Sequence, residues 1–406
     1  MNALQRAGFS FRGCLTCGLS LFVLVACGGT DQPAGPGGNP PPPPPPADPD
    51  PCSVVGRIEP SPSQLAPYAS QRLSKLRAGD GPGANDINDA GWVVGFSGSD
   101  FPVTGDAFSN AVLWRPGEEA TDLGTAGLPD SRAFGINNNR QVVGWAGDVT
   151  DTGTDLSTVR AALWTLDADG AVVETTVFGP PAPPRSTARD INDSGQIVGE
   201  IGQPFGFGAD RARATLWTIQ ADGSIDTRDL GVLGDSPGFE ARASAPEYSL
   251  AHQINEAGQV VGTSVIVGRP CSVVWTETGD IGLVGPGMKG EAIGINDLGE
   301  IVGHAGTTSF PFLGPAYLWS PERGLVSLGG SVATAKAINN RGQVVGQVAG
   351  QPSSDFGLIR AFVWTPETGM QILPPDVSFG NARSINSDGL VVGGTGELEA
   401  TRWSPN

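Results

Sequence analysis

A nine-residue phrase, I-N-x-x-G-x-V-V-G, recurs seven times and limits what this chain can fold into more than any other feature. It stands whole at residues 87–95 and returns with small changes from Ile136, Ile191, Ile254, Ile295, Ile338 and Ile385. Asn in the first turn position accepts hydrogen bonds from the backbone just ahead of it, and Gly three residues on tolerates positive φ, so N-x-x-G reads as a type I turn. The β-branched pair that follows resumes an extended strand, which makes each phrase a β-hairpin. One copy departs: Arg140 replaces the Gly, after Asn137, Asn138 and Asn139. Asn tolerates the left-handed region better than most residues, so this turn is expected to survive with altered geometry.

Around the phrase the chain reads in four strokes: a strand ending in Trp, one ending near Leu-Gly, one ending in Ile-Asn, and the Val-Val-Gly strand. The second unit shows them at 111–114, 121–124, 132–137 and 141–144. Four short strands at a mean period of about 50 residues match a propeller blade. The coils of a parallel β-helix are shorter and more regular, and hairpin turns favour antiparallel pairing. The chain enters at a Leu-type strand, 72–76, and leaves at an unmatched Trp strand, 400–403. Joined, these complete one blade and remove the open edges of a linear stack. The expectation is an all-β, seven-bladed β-propeller of four-stranded antiparallel blades, closed by pairing N- and C-terminal strands. Seven of the nine tryptophans fall on these strands and read as core wedges between blades.

The seven phrases, with Trp-bearing stretches at 111–114, 161–164, 214–217, 272–275, 316–319 and 361–364, resemble the bacterial HAF repeat family. That family is named for a His-Ala-Phe triplet, which Arg360-Ala361-Phe362 approaches most nearly. The resemblance covers roughly residues 68 to 406. It implies an extracellular repeat architecture and no activity.

Residues 1–26 carry Arg6 and Arg12, then an apolar run too short to span a bilayer as a helix, the form of a secretory leader. Leu24-Val25-Ala26-Cys27 resembles the bacterial lipobox, which implies that Cys27 is lipidated and becomes the mature amino terminus. The alternative is an ordinary cleaved signal with an incidental Cys. Gly28 after the Cys implies, by the same resemblance, sorting to the outer membrane. Residues 27–67 then read as a lipidated Cys and a tether, since the Pro40–Pro46 run is stiff polyproline II at about 3.1 Å per residue. The repeat domain occupies 68–406. The net charge of −18 becomes −20 once Arg6 and Arg12 leave with the leader. Such a field repels phosphate backbones, and no basic patch stands out in the sequence, which argues against nucleic-acid binding. The membrane enters only through the lipid anchor.

Motifs for catalysis are sparse. His252 and His304 lie in different repeats with no Cys or His near them, so they read as solvated loop or strand residues, with no metal site and no nucleophilic triad. No cofactor is implied. Cys52 and Cys271 remain after the leader and anchor are set aside, and export permits either a disulfide between them or two isolated thiols. Asp100, Asp106, Asp148, Asp151 and Asp155 gather in variable loops without the spacing of a Ca²⁺ site, and read as solvated.

Short connections (Trp to Leu strand, Ile-Asn to Val-Val-Gly) share one face of an up-and-down meander, and the long variable connections share the other. The variable face carries Phe101, Asp106, Phe108, Phe205, Phe207, Tyr248, Phe310, Phe312 and Phe356. Aromatics beside carboxylates suit a protein or glycan partner. The reading is an envelope-anchored, non-enzymatic binding scaffold. A polysaccharide hydrolase or lyase using loop carboxylates, or a purely structural envelope protein, are the alternatives.

Overall fold

In the computed structural model each phrase is a hairpin between the first two strands of a four-stranded antiparallel sheet. The structure describes residues 65–98, 109–148, 158–180, 185–202, 212–235, 247–266, 269–285, 287, 289–306, 313–330, 332–349, 358–375, 379–396 and 399–406. Seven sheets form a ring, a seven-bladed β-propeller. Blade 1 is built from Gly81–Ile87, Val93–Gly98, Ser109–Trp114 and Thr121–Asp122, paired in sequence order. The Ile-Asn strands touch one another around the axis and are innermost. Blade boundaries therefore fall between the Leu and Ile-Asn strands. The unit at 111–144 takes two strands from blade 1 and two from blade 2, a shift of phase from the sequence reading.

The turn chemistry holds in every copy. Gly91 N donates to Asn88 O at 3.0 Å, and Gly91 sits at φ 75°. Arg140 takes the same left-handed conformation at φ 63°, with its N–H on Asn137 O. The expectation of altered geometry is thus corrected: flanking strands impose the turn, and Arg140 bears the strain of it.

Paired valines, rather than alternating apolar and polar residues, follow from burial on both faces of a blade. Seven apolar clusters lie at the seven joints. At the joint of blades 1 and 2, Val94 meets Trp164; at that of blades 2 and 3, Val143 meets Trp217. The first β-branched residue of each phrase pairs instead with the Trp of its own blade, as Val93 does with Trp114 and Ile301 with Trp319. Trp114, Trp164, Trp217, Trp275 and Trp403 are fully buried. Each removes a large apolar surface from water, worth about 3–5 kcal/mol by truncation to Ala.

Blade 7 joins both ends of the described chain. Its inner three strands are Gly380–Ile385, Val391–Thr395 and Glu399–Pro405, and Tyr68–Arg72 is the fourth, antiparallel to Glu399–Pro405. The closing strand lies four residues ahead of the expected 72–76. Leu73 and Leu76 instead pack against the joint between blades 7 and 1, and Ser74 O accepts the Trp114 indole N–H at 2.8 Å. The entering segment therefore closes the ring twice, by strand pairing to blade 7 and by a side-chain bond from blade 1.

Candidate binding site in the central channel

A bulge repeated in every inner strand shapes the middle of the ring. Pairing of the inner two strands slips by one residue at the same place in all seven blades. The skipped residues are Asn85, Phe134, Arg189, His252, Ile293, Lys336 and Arg383. A bulge interrupts the in-out alternation of a strand and re-aims side chains. All seven skipped residues line one cavity of about 400 Å³, joined by successors such as Asp86, Asp190, Gln253 and Ser384. Two sequence features permit the bulge. An Ala precedes the skipped residue in every blade and is fully or almost fully buried, from Ala84 to Ala382. The last Gly of each phrase is required by close approach: a Cβ on Gly95 would lie 1.9 Å from Gly83 O, and one on Gly303 2.0 Å from Glu291 O.

Inner strands start on the variable-loop side and end at the Ile-Asn turns, so this cavity lies toward the variable-loop mouth. Its charges are unevenly compensated. Arg189 donates to both oxygens of Glu200, at 3.0 and 2.8 Å, and its guanidinium lies 5.5 Å from the Phe134 ring centre. Arg383 donates to the neutral Asn85 Oδ1. Lys336 makes no hydrogen bond or ion pair among the described residues. Burial pushes its ammonium pKa down, and the carboxylate of Glu291 draws it back. Burial likewise raises Glu291, opposed by Lys336. His252 is held neutral, its pKa lowered to about 3 by burial and then by Arg189 and Lys336.

Deeper in the channel, burial raises Asp86, while burial and then the charge of Asp86 push Asp190 up to about 8. Their oxygens serve the ring itself. Asp86 accepts from Ser384 Oγ at 2.6 Å and Ile136 N at 2.9 Å, and Asp190 from Ile191 N at 2.9 Å and Ile254 N at 3.0 Å.

At the opposite end a second cavity of about 360 Å³ is bounded by the Ile-Asn turns. Here the seven motif asparagines form a closed hydrogen-bonded ring. Each Nδ2 donates to the backbone carbonyl of the corresponding Asn in the next blade, from Asn88 to Asn137 and finally from Asn386 to Asn88, at 3.0–3.1 Å. Each Oδ1 meanwhile accepts from a backbone N–H of its own turn, as Asn255 does from Gln259 N at 2.8 Å. In six blades the following residue's N–H reaches a side chain of the next blade, as Asp89 N does Asn138 Oδ1 at 3.0 Å.

A scan against family models finds no match, and neither does a search of curated proteins. Among solved structures the chain is similar to a streptogramin B lyase, with 11% identity, TM-score 0.49, and 84% of this chain and 98% of that one covered. It is similar to the β-propeller domain of the trilobed protease from Pyrococcus furiosus, with 10% identity, TM-score 0.47, and 80% and 94% covered. TolB from Acinetobacter baumannii follows at 13% identity, TM-score 0.39, with 77% and 79% covered.

Of the residues singled out in the sequence, Tyr248 is half-buried at the start of the blade 4 inner strand, where burial and then Glu291 raise its phenol pKa. Phe101, Asp106, Phe108, Phe205, Phe207, Phe310, Phe312 and Phe356 lie outside the described residues, as do Cys27 and Cys52. Cys271 is buried and disulfide-bonded. His304 is corrected, being buried in a blade 5 strand rather than solvated, whereas His252 is a half-buried strand residue that lines the channel. The set of channel cations Arg189, Lys336 and Arg383 is also new, because residues from three blades far apart in sequence line one cavity only when the ring closes. The legible signal for it was the Ala three places before each motif Ile, which recurs in all seven copies.

Proposed function

We propose that this protein is a non-catalytic binding scaffold, held to the cell envelope through a lipidated Cys27, that takes a protein or glycan partner on its variable-loop face. One observation carries the preference for binding over hydrolysis. The neighbouring channel carboxylates Asp86 and Asp190 have both oxygens engaged by the ring's own backbone N–H and hydroxyl groups, which leaves Glu291 without the second open carboxylate that glycoside hydrolysis uses. On the same side Lys336 and Asn381 keep unused hydrogen-bonding capacity on rigid inner strands. Fixed polar groups inside a preformed concavity are what a small-ligand or chain-end site requires. The resemblance to the HAF repeat family and the polyproline tether support placement outside the cytoplasm, and Gly28 after the lipobox Cys27 supports the outer membrane.

The purified full-length chain, immobilised and screened against polysaccharides with masses followed over time, is expected to capture partners without changing them. Shortened or unsaturated products would establish the hydrolase or lyase reading instead. Cys27→Ala is expected to abolish fatty-acid labelling in the membrane fraction, and unchanged labelling would overturn the anchor.

A further inference from the structure

The channel mouth has a chemical signature more specific than a general binding face. Three consecutive blades contribute to it: Glu291 from blade 5, Lys336 from blade 6, and Asn381 with Arg383 from blade 7. Lys336 supplies a cation with no hydrogen bond or ion pair among the described residues. Arg383 lends a second cation from the adjacent blade while holding the neutral Asn85. Flanking them, Asn381 Oδ1 is buried without a donor, and the Glu291 carboxylate accepts no hydrogen bond among the described residues. Lys336 and Glu291 line the same cavity and influence each other's ionisation without forming an ion pair. Ile293 adds apolar surface beside Glu291 in blade 5, and Phe134 adds it from blade 2 across the channel.

These groups ask for different things of one ligand. The Lys336 ammonium, without an ion pair among the described residues, calls for an anion. Glu291 and Asn381 need hydroxyl or N–H donors, since a buried acceptor without a partner is costly. Phe134 and Ile293 suit a face of C–H groups. A simple anion leaves the acceptors unsatisfied, and a neutral sugar leaves the Lys336 ammonium so. Resting on the scaffold reading, we infer that the channel mouth binds a hexuronic acid, free or at the end of an acidic polysaccharide, with its carboxylate on Lys336 and its hydroxyls on Glu291 and Asn381. A cavity of about 400 Å³ is of the size that takes a small ligand.

The test is calorimetric titration of the full-length chain with D-glucuronate, D-glucose and acetate at fixed ionic strength. Glucuronate is expected to bind with Kd on the order of 1 mM or tighter, and at least roughly tenfold more tightly than glucose or acetate. Lys336→Met is expected to remove that difference and Lys336→Arg to retain most of it, with melting curves confirming that both variants fold. Asn381→Ala, which removes an acceptor and no charge, should weaken glucuronate while leaving acetate unchanged, because acetate has no hydroxyls to lose. A tetrasaccharide ending in glucuronate separates the sources: tighter binding than the monomer marks a polymer end, and equal binding marks the free acid. Equal affinity for glucose and glucuronate, or full affinity in Lys336→Met, overturns the inference. A chain that captures other partners in the polysaccharide screen yet ignores glucuronate refutes the acidic-sugar reading alone, and one that captures nothing in either refutes both.

Discussion

Arg140 stands at φ 63° where six other phrases place Gly at 72–83°. A side chain with a Cβ in that region is strained by about 1–2 kcal/mol. Arg140→Gly is therefore expected to raise stability by about 1 kcal/mol, read as a higher urea midpoint. A lowered midpoint would mean that the Arg side chain returns more than its backbone costs. Asp190 offers a second residue-scale test. Its folded pKa of about 8 lies above its ordinary 3.8, so between those values the unfolded chain binds fewer protons and stability falls as pH rises. His252 and His304, lowered from 6.5 to about 3 and about 4, act the other way, and the stability they lose appears as pH falls below 6.5. From pH 6.5 to 8 the carboxylate slope stands largely alone. Asp86→Asn keeps an acceptor for Ile136 N and can donate to Ser384 Oγ while removing the charge that helps raise Asp190. Its melting temperature is expected to vary less across pH 6.5 to 8 than that of the unaltered protein, and an identical slope would show that the two carboxyls are uncoupled.

The inner hairpin does at the scale of an element what no single strand could. Its Asn caps its own turn and bonds the neighbouring blade with one side chain, so local turn geometry and blade spacing are set together. Asn255→Ala strips Gln259 N of its acceptor and Asn296 O of its donor, both buried or half-buried. The expected loss is about 1–3 kcal/mol, visible in thermal melting, and a loss near zero would mean that water replaces the ring. The bulge is guarded just as tightly. Gly303→Ala would place a Cβ 2.0 Å from Glu291 O, so either the hairpin parts or the bulge is lost. A loss of about 3 kcal/mol is expected, together with loss of glucuronate binding as Glu291 and Ile293 are re-aimed.

Across the whole molecule, closure turns seven similar hairpins into one cooperative ring. Glu399–Pro405 pairs on both sides, with Val391–Thr395 and Tyr68–Arg72, and carries the fully buried Trp403. Deleting residues 399–406 removes that wedge and opens two strand edges. A cost of at least about 3–5 kcal/mol is expected, seen as a melting temperature lowered by roughly 5–10 °C. An unchanged melting curve would show that the last strand contributes nothing to closure.

Repetition made the architecture readable without coordinates. Turn residues, paired valines and tryptophans are local requirements of each blade, so each copy restated the same fold, and the count of Trp strands foretold that chain ends must meet. The closing strand was misplaced by four residues because 73 and 76 are apolar for another reason, filling the joint between blades 7 and 1. The seven asparagines were explained by turn chemistry alone, since a bond from Asn88 to Asn137 spans two blades and leaves no trace in either hairpin's own pattern. The channel was least legible. Its lining follows from bulges that turn one unmatched residue per blade inward, and those residues share no chemical type: an amide, a ring, an imidazole, an aliphatic and three cations. Sequence determined the blade, because a blade is made of near neighbours. Only the tertiary structure decided the site, because Glu291, Lys336 and Arg383 become neighbours solely through closure of the ring.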